Sequence, residues 1–237
     1  MPRVVKHPEI RRAELVSAAQ ALFFERGYDA TSVEDIIRRS GVSKGAFYYY
    51  FPTKDAVLET MARQMAETAV ADLQDILDDP GLNAFEQLNA VFRRSRRAKI
   101  DQAAEILSYF EALFRPENLS LYHRIHNAVS EVMAPILSTI ISRGVAERSL
   151  TSNAPEITAE ILLGLVSTSH RSVARLFAAR SDEEFRLAAD EFERRWRAQG
   201  VAMDRILGLP DGSLDLIEPG FADAMFAHWR QKQRHGA

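Results

Sequence analysis

Three observations predict an all-α protein. Apolar residues recur at three- and four-residue steps along almost the whole chain, strand-like alternation is scarce, and two short helical segments near the N-terminus are joined by a tight glycine turn. That pair has helix-turn-helix geometry. It divides the chain into a three-helix, helix-turn-helix domain over residues 1–54 and a helical body over residues 55–237, with a tail at 209–237.

The first helix spans about Pro8 to Arg26, aligns Leu15, Ala18, Ala19, Leu22 and Phe23 on one stripe, and stops at Gly27. Thr31 and Glu34 have the spacing of a capping box for a second, short helix through Arg39, and Gly41 supplies its exit. Ser43 caps a third helix, about Lys44 to Tyr50, which ends near Phe51-Pro52-Thr53. Thr53 caps a fourth, running from Lys54 towards Leu77. Beyond the turn Asp78-Asp79-Pro80-Gly81, further helices are expected at about 82–97, 101–114, 117–143, 154–178 and 182–207. Pro135 should bend or break the third of these near Glu131 to Met133, because it has no backbone donor. After a turn at Leu209–Gly212, a short amphipathic helix bearing Phe221, Met225, Phe226 and Trp229 is expected to dock on the body.

Composition narrows the functional classes. The chain of 237 residues is 46% hydrophobic and 27% charged, with no uninterrupted apolar run of membrane-spanning length. Met1–Lys6 is basic and reads as a short arm, since no signal-peptide pattern follows it. Cysteine is absent, which removes disulfides, thiolate zinc sites and cysteine nucleophiles and suits the cytoplasm. The net charge of −3 hides an asymmetry: residues 1–54 hold nine Lys/Arg against six Asp/Glu, the remainder 21 against 27. The N-terminal end is therefore the one suited to phosphate. No Gly-rich phosphate loop, nucleophile elbow or metal-ligand series supports an enzyme, and no cofactor is expected.

A helix that enters the major groove needs small residues at its start and polar or flat side chains along its exposed face. Ser43, Lys44, Gly45 and Ala46 provide that approach. Lys44 can bond guanine edges or phosphate, and the Tyr48 and Tyr49 hydroxyls can reach backbone oxygens, while Phe47 and Phe51 should face inward. Thr31 and Ser32 at one helix N-terminus, and Lys54 at another, sit where backbone amides and the helix dipole favour phosphate.

The segments Thr31-Ser32-Val33-Glu34-Asp35-Ile36 and Gly41-Val42-Ser43-Lys44-Gly45-Ala46-Phe47-Tyr48-Tyr49-Tyr50-Phe51-Pro52-Thr53-Lys54 strongly resemble the tetracycline-repressor (TetR) family of bacterial regulators. The match covers about Ile10 to Leu58. The resemblance implies a sequence-specific transcription regulator, a repressor released from pseudo-palindromic operator DNA by a small molecule, acting as a homodimer. Its recognition helices would lie about 34 Å apart. An activator of the same family and a sequence-independent architectural DNA binder are the alternatives.

By the same resemblance, the last two long helices, about 155–178 and 182–207, pair with their twofold mates. Leu163, Gly164, Val166, Ser167 and Val173, with Phe177, Phe185, Phe192 and Trp196, are the candidate interface residues; a core role within one chain is the competing reading. The resemblance also implies an effector cavity in the body, for which Phe92, Tyr109, Phe110, Phe114, His123, His126 and His170 are candidate walls. His123 and His126 form H-x-x-H, but no acidic or cysteine partner stands at fixed spacing, so the pair is read as accidental and no metal is expected. Arg93, Arg94, Arg96, Arg97 and Lys99 form a basic run, read as a solvated helix end rather than an anion site.

Overall fold

The computed structural model describes residues 8–103, 107, 111–115 and 118–235. Every regular element among them is helical. The head is built from α1 (Pro8–Arg26), α2 (Val33–Ser40) and α3 (Lys44–Tyr50). It continues into α4 (Lys54–Ala71) and the short α5 (Gln74–Leu77); α6 (Ala84–Asp101) follows, and a 3₁₀ turn at Glu111–Phe114 precedes α7 (Leu119–Ala146). The chain then forms α8 (Pro155–Ser167), α9 (His170–Ala178), α10 (Asp182–Ile206) and α11 (Phe221–His235). The expected N-terminal arm, Tyr109 and Phe110 lie outside the described residues, as does part of the helix expected at 101–114.

Two helices end earlier than their periodicity predicts. The fourth stops at Ala71 instead of Leu77, because a turn at Asp72 and Leu73 rotates Leu73 into the core while Arg94 holds the Asp72 carbonyl at 2.9 Å. The segment expected as one helix over 154–178 is broken at Thr168-Ser169. There the Ser167 and Thr168 hydroxyls donate to the carbonyls of Gly164 and Leu165, and the Gln199 amide reaches Leu165 O and Thr168 Oγ1 at 3.1 and 2.8 Å. Local hydroxyl bonds of this kind compete with the helical ladder. The break expected at Pro135 does not occur: Pro135 sits on the exposed side of α7, which runs unbroken from Leu119 to Ala146.

Three apolar cores result. The first joins Leu15, Ala19 and Phe23 of α1 to Ile36, Phe47, Phe51, Leu58 and Met61, and it also takes in Leu121 and Ile125 of α7. The second gathers Leu88 and Val91 of α6, Leu137, Ile140 and Ile141 of α7, Leu162 of α8 and Met203 of α10. The third packs Leu176, Phe185 and Phe192 against Phe221, Ala222 and Phe226 of α11. α7 therefore begins inside the core of the head and ends inside that of the body. Among the described residues it is also the one helix long and apolar enough to cross a membrane, but both its halves are engaged in protein cores.

The tail docks as expected. Fully buried Asp204 accepts the amides of Gly212 and Leu214 at 2.7 and 2.9 Å, and Asn89 bonds Ser213 O and Asp215 N at 3.1 and 2.9 Å. Gly208, at φ +72°, makes the turn into this strap, and a Cβ there would fall 2.5 Å from Thr151 Oγ1.

Candidate nucleic-acid interface

The start of α2 is a capping box displaced by one residue from the expected one. The Ser32 hydroxyl accepts from Asp35 N at 3.2 Å and the Asp35 carboxylate accepts from Ser32 N at 3.0 Å. Thr31, expected both as the cap and as a phosphate contact, is instead buried; its hydroxyl donates to Gly27 O at 2.9 Å and ties the start of α2 to the end of α1. The hydroxyl and amide of Ser32, then Arg38 and Arg26, hold the Asp35 carboxyl well below the usual carboxylate range. Gly41, at φ +69°, closes α2 by donating to Ile37 O at 3.0 Å, a left-handed stop that suits glycine. Val42 and Ser43 then complete the turn, and the Ser43 hydroxyl caps α3 by accepting from Ala46 N at 3.2 Å.

α3 is only seven residues long, yet its faces are sharply divided. Phe47 and Phe51 are buried in the head core, as predicted. Lys44, Gly45, Tyr48 and Tyr49 occupy one exposed face at spacings of one and four residues, with Ser43 at its start. Tyr48 is 47% and Tyr49 80% exposed, and the Tyr49 ring meets Tyr50 edge-on at 4.9 Å. Ala46, expected on the approach surface, packs partly against the core instead. Lys44 Nζ lies 3.7 Å from Glu34, with both side chains more than 60% exposed. Such a pair contributes at most about 1 kcal/mol and exchanges readily for another anion.

Lys54, expected to meet phosphate at the start of α4, turns inward. Its ammonium donates to Tyr28 O and Thr31 O, each at 2.8 Å, and lies 4.0 Å from the centre of the Tyr28 ring. Burial lowers its pKa from the ordinary lysine value. Tyr28 in turn donates its hydroxyl to Asp55, and burial followed by that bond pushes the phenol far above its usual range, so it acts as a donor. No motif flagged Tyr28 or Asp55, whose importance lies in contacts made across the α1–α2 loop.

The expected effector residues are brought together only in part. Phe114, His126 and His170 surround Tyr122, whose ring lies 5.7, 6.3 and 4.5 Å from theirs. His123 is exposed beside the same ring, and Phe177 stacks on Phe114 at 5.5 Å. Phe92 belongs elsewhere, packed against the second core. Tyr122 was absent from the expected set although it stands one helical turn before His126; its phenol is pushed up to about 12 by burial. Among the described residues, no three His, Cys, Asp or Glu come together as a metal site.

A separate cleft of about 550 Å³ opens between α1, α4 and α7, walled by Arg12, Phe51, Thr60, Arg63, Arg124 and Glu131. Of the expected effector residues that the structure describes, none lines it.

Most of the expected dimer residues are spent within the protomer. Phe185 and Phe192 are buried, Val173 and Phe177 pack on the third core, and Leu163 and Val166 pack on the second. Trp196 bridges both cores, its indole nitrogen buried with no hydrogen-bond partner among the described residues, and Ser167 bonds back to its own helix. Gly164 is exposed, and it continues a stripe with Ile157 and Ile161 of α8 that was not anticipated; Leu187 of α10 is exposed as well. Periodicity on α8 alone could have shown that stripe, but α8 is apolar on several faces.

The basic run of α6 disperses. Arg94 pairs with Asp75, Arg97 with Asp101, and Lys99 lies over the Trp196 ring. Arg96 is buried against the strap, so the run is neither a shared anion site nor wholly a solvated end.

Residues 15–61 match the family described as bacterial regulatory proteins, tetR family. The chain is 33% identical over 109 residues to the HTH-type transcriptional repressor KstR2 of Mycobacterium tuberculosis, covering 46% of this chain and 54% of that protein. It thus spans about half the length of that curated relative. Among solved structures it is similar to RolR in complex with resorcinol, with a TM-score of 0.60, 18% identity and coverage of 92% of this chain and 94% of that one. It is also similar to Thermus thermophilus FadR in complex with lauroyl-CoA, with a TM-score of 0.59, 23% identity and coverage of 81% and 94%. Both share its fold.

Proposed function

We propose that this chain, whose residues 15–61 match the bacterial TetR family, is a member of it and a cytoplasmic, homodimeric transcriptional repressor that reads operator DNA with α3 and is released by a small molecule. The observation that carries the reading is the divided α3: Ser43, Lys44, Gly45, Tyr48 and Tyr49 outward, Phe47 and Phe51 inward. A helix anchored by two buried aromatics presents its polar face rigidly. A lysine and two phenols there supply donors for base edges and phosphate, while Gly45 allows close approach.

One seven-residue helix touches too few base pairs to define a unique site, so two copies on a pseudo-palindrome are required. The exposed stripe Ile157, Ile161 and Gly164 is the surface through which the copies pair in this reading. Release by a small molecule is supported by the ligands held in two proteins of the same fold, resorcinol in RolR and lauroyl-CoA in FadR. The aromatic cluster around Tyr122 is the part of the body best suited to a flat or apolar effector.

The test is a titration at fixed salt of the full chain against DNA from its own upstream region and against random DNA. Wild type is expected to prefer its operator by at least about a thousandfold. Lys44→Ala and Tyr48→Phe should lose affinity with the dimer intact. A wild type without preference for any genomic fragment would refute the reading.

A further inference from the structure

Arg124 stands on α7, beyond the segment that matches the family, yet its guanidinium reaches into the head. It donates from Nη1 to Asp55 at 2.9 Å and from Nε to Glu59. The second oxygen of Asp55 takes the Tyr28 hydroxyl. Lys54 lies over the Tyr28 ring and donates to the carbonyls of Tyr28 and Thr31, and Thr31 immediately precedes the Ser32 cap of α2. A continuous set of polar contacts thus runs from the body to the residue that precedes the α2 cap.

Two neighbouring pairs run in parallel: Arg63 of α4 with Glu131 of α7, and Arg115 with Asp29, the residue next to Tyr28. Leu121 and Ile125 already supply the adhesion between α7 and the head. Apolar contact is non-directional, so it leaves the angle of the head loosely defined. A guanidinium held on two carboxylates is directional, and charge-assisted bonds are about twice as strong as neutral ones.

We propose that Arg124 is a positioning residue for operator binding, acting through Asp55, Tyr28 and Lys54 to hold the start of α2 in its DNA-competent place. The proposal rests on the DNA-reading function proposed above. Arg124 is not itself on the α3 reading face, and its side chain is 43% exposed. Its removal leaves hydrated carboxylates rather than a cavity, so an effect on reading is separable from an effect on folding.

The experiment uses the full chain as Arg124→Gln, Arg124→Lys, Tyr28→Phe and the Gln/Phe double variant. Three readouts are taken: affinity for a DNA fragment that wild type selects, thermal unfolding, and hydrogen exchange at the Asp35 and Ile36 amides. Arg124→Gln is expected to weaken binding about five- to tenfold at low salt. The double variant should be no weaker than about the worse single variant, because both break one network. Arg124→Lys should recover part of the loss, and the gap from wild type should narrow as salt screens the exposed pair. Asp35 and Ile36 should exchange faster in Arg124→Gln at unchanged unfolding temperature.

Affinity of Arg124→Gln within about twofold of wild type or above it, or losses that multiply in the double variant, would overturn the proposal. If Arg124→Gln does not fold, Arg124→Lys against Tyr28→Phe decides by the same criterion. If wild type selects no DNA, the functional reading fails, and the proposal falls with it as a statement about operators. Exchange at Asp35 and Ile36 then still reports whether Arg124 holds α2.

Discussion

The guanidinium of Arg96 grips Asp215 from a position 119 residues earlier in the chain, donating to its backbone carbonyl at 2.7 Å and its carboxylate at 3.3 Å. Arg96 is only 9% exposed at its side chain, and a third partner, Glu218, closes the same contact. Arg96→Met should therefore loosen the strap and α11. The expected cost is about 1–3 kcal/mol, the range for losing hydrogen bonds to a charged group. Urea denaturation measures it, and limited proteolysis should cut first between residues 208 and 220. Wild-type stability with an intact strap would refute this assignment.

Thr31 and Lys44 should separate stability from reading. Thr31→Val loses a hydrogen bond from a buried hydroxyl and should lower stability by about 1 kcal/mol. Lys44→Ala breaks only an exposed pair, so stability should move by less than about 0.5 kcal/mol. Its operator affinity, however, should fall by about 1–3 kcal/mol, or its salt slope by about one if the contact is to phosphate. Thermal unfolding beside a DNA titration distinguishes the two; equal effects of both variants in both assays would contradict the division.

Acidification from pH 7 towards 5 should destabilise the body through His126. Burial, then the neighbouring His123, lowers the His126 pKa from its ordinary value of about 6.5. The fold thus favours the neutral ring, and the unfolded chain binds the proton more readily. The contribution to stability is complete above the unfolded pKa and is lost as pH falls through the lower, folded one. Unfolding temperature measured across this window should drop less in His126→Phe than in wild type. An identical slope would show that His126 has no part in it.

If two copies pair as proposed, Ile161→Glu should yield a folded monomer, because Ile161 is 49% exposed in the protomer and its replacement disturbs no core. Phe192→Ala should instead cost about 3–5 kcal/mol of stability, as buried aromatic truncations do. Sedimentation of both variants tests the assignment, and a dimeric Ile161→Glu would move the interface elsewhere.

The head was legible because its determinants are local. Caps, glycine stops and the split of Phe47 and Phe51 from Tyr48 and Tyr49 all lie within one or two turns of each other, and the predicted bounds of α1 and α3 coincide with the observed ones. The misplaced cap shows where local information ends. Thr31-Glu34 and Ser32-Asp35 have identical spacing, and only the burial of Thr31 against α1 selects the second. Lys54 likewise looked like a phosphate ligand until the carbonyls of the α1–α2 loop were placed beside it. In the body, the decisive partners are distant: Gln199 breaks a helix thirty residues earlier, and Arg96 finds its carboxylates at the end of the chain. Interface and core roles were inseparable in the sequence for the same reason, since apolar periodicity does not say which of several neighbours a face will meet.

A helix that closes the head's core from far along the chain also sets an order of events during synthesis. Phe47, Leu58 and Met61 leave the ribosome well before Leu121 and Ile125 exist to cover them. At about 5–20 residues per second that interval lasts several seconds. The nascent head must spend it with part of its apolar surface uncovered, so a pause or truncation between α4 and α7 should yield an aggregation-prone product rather than a small, independent DNA-binding module.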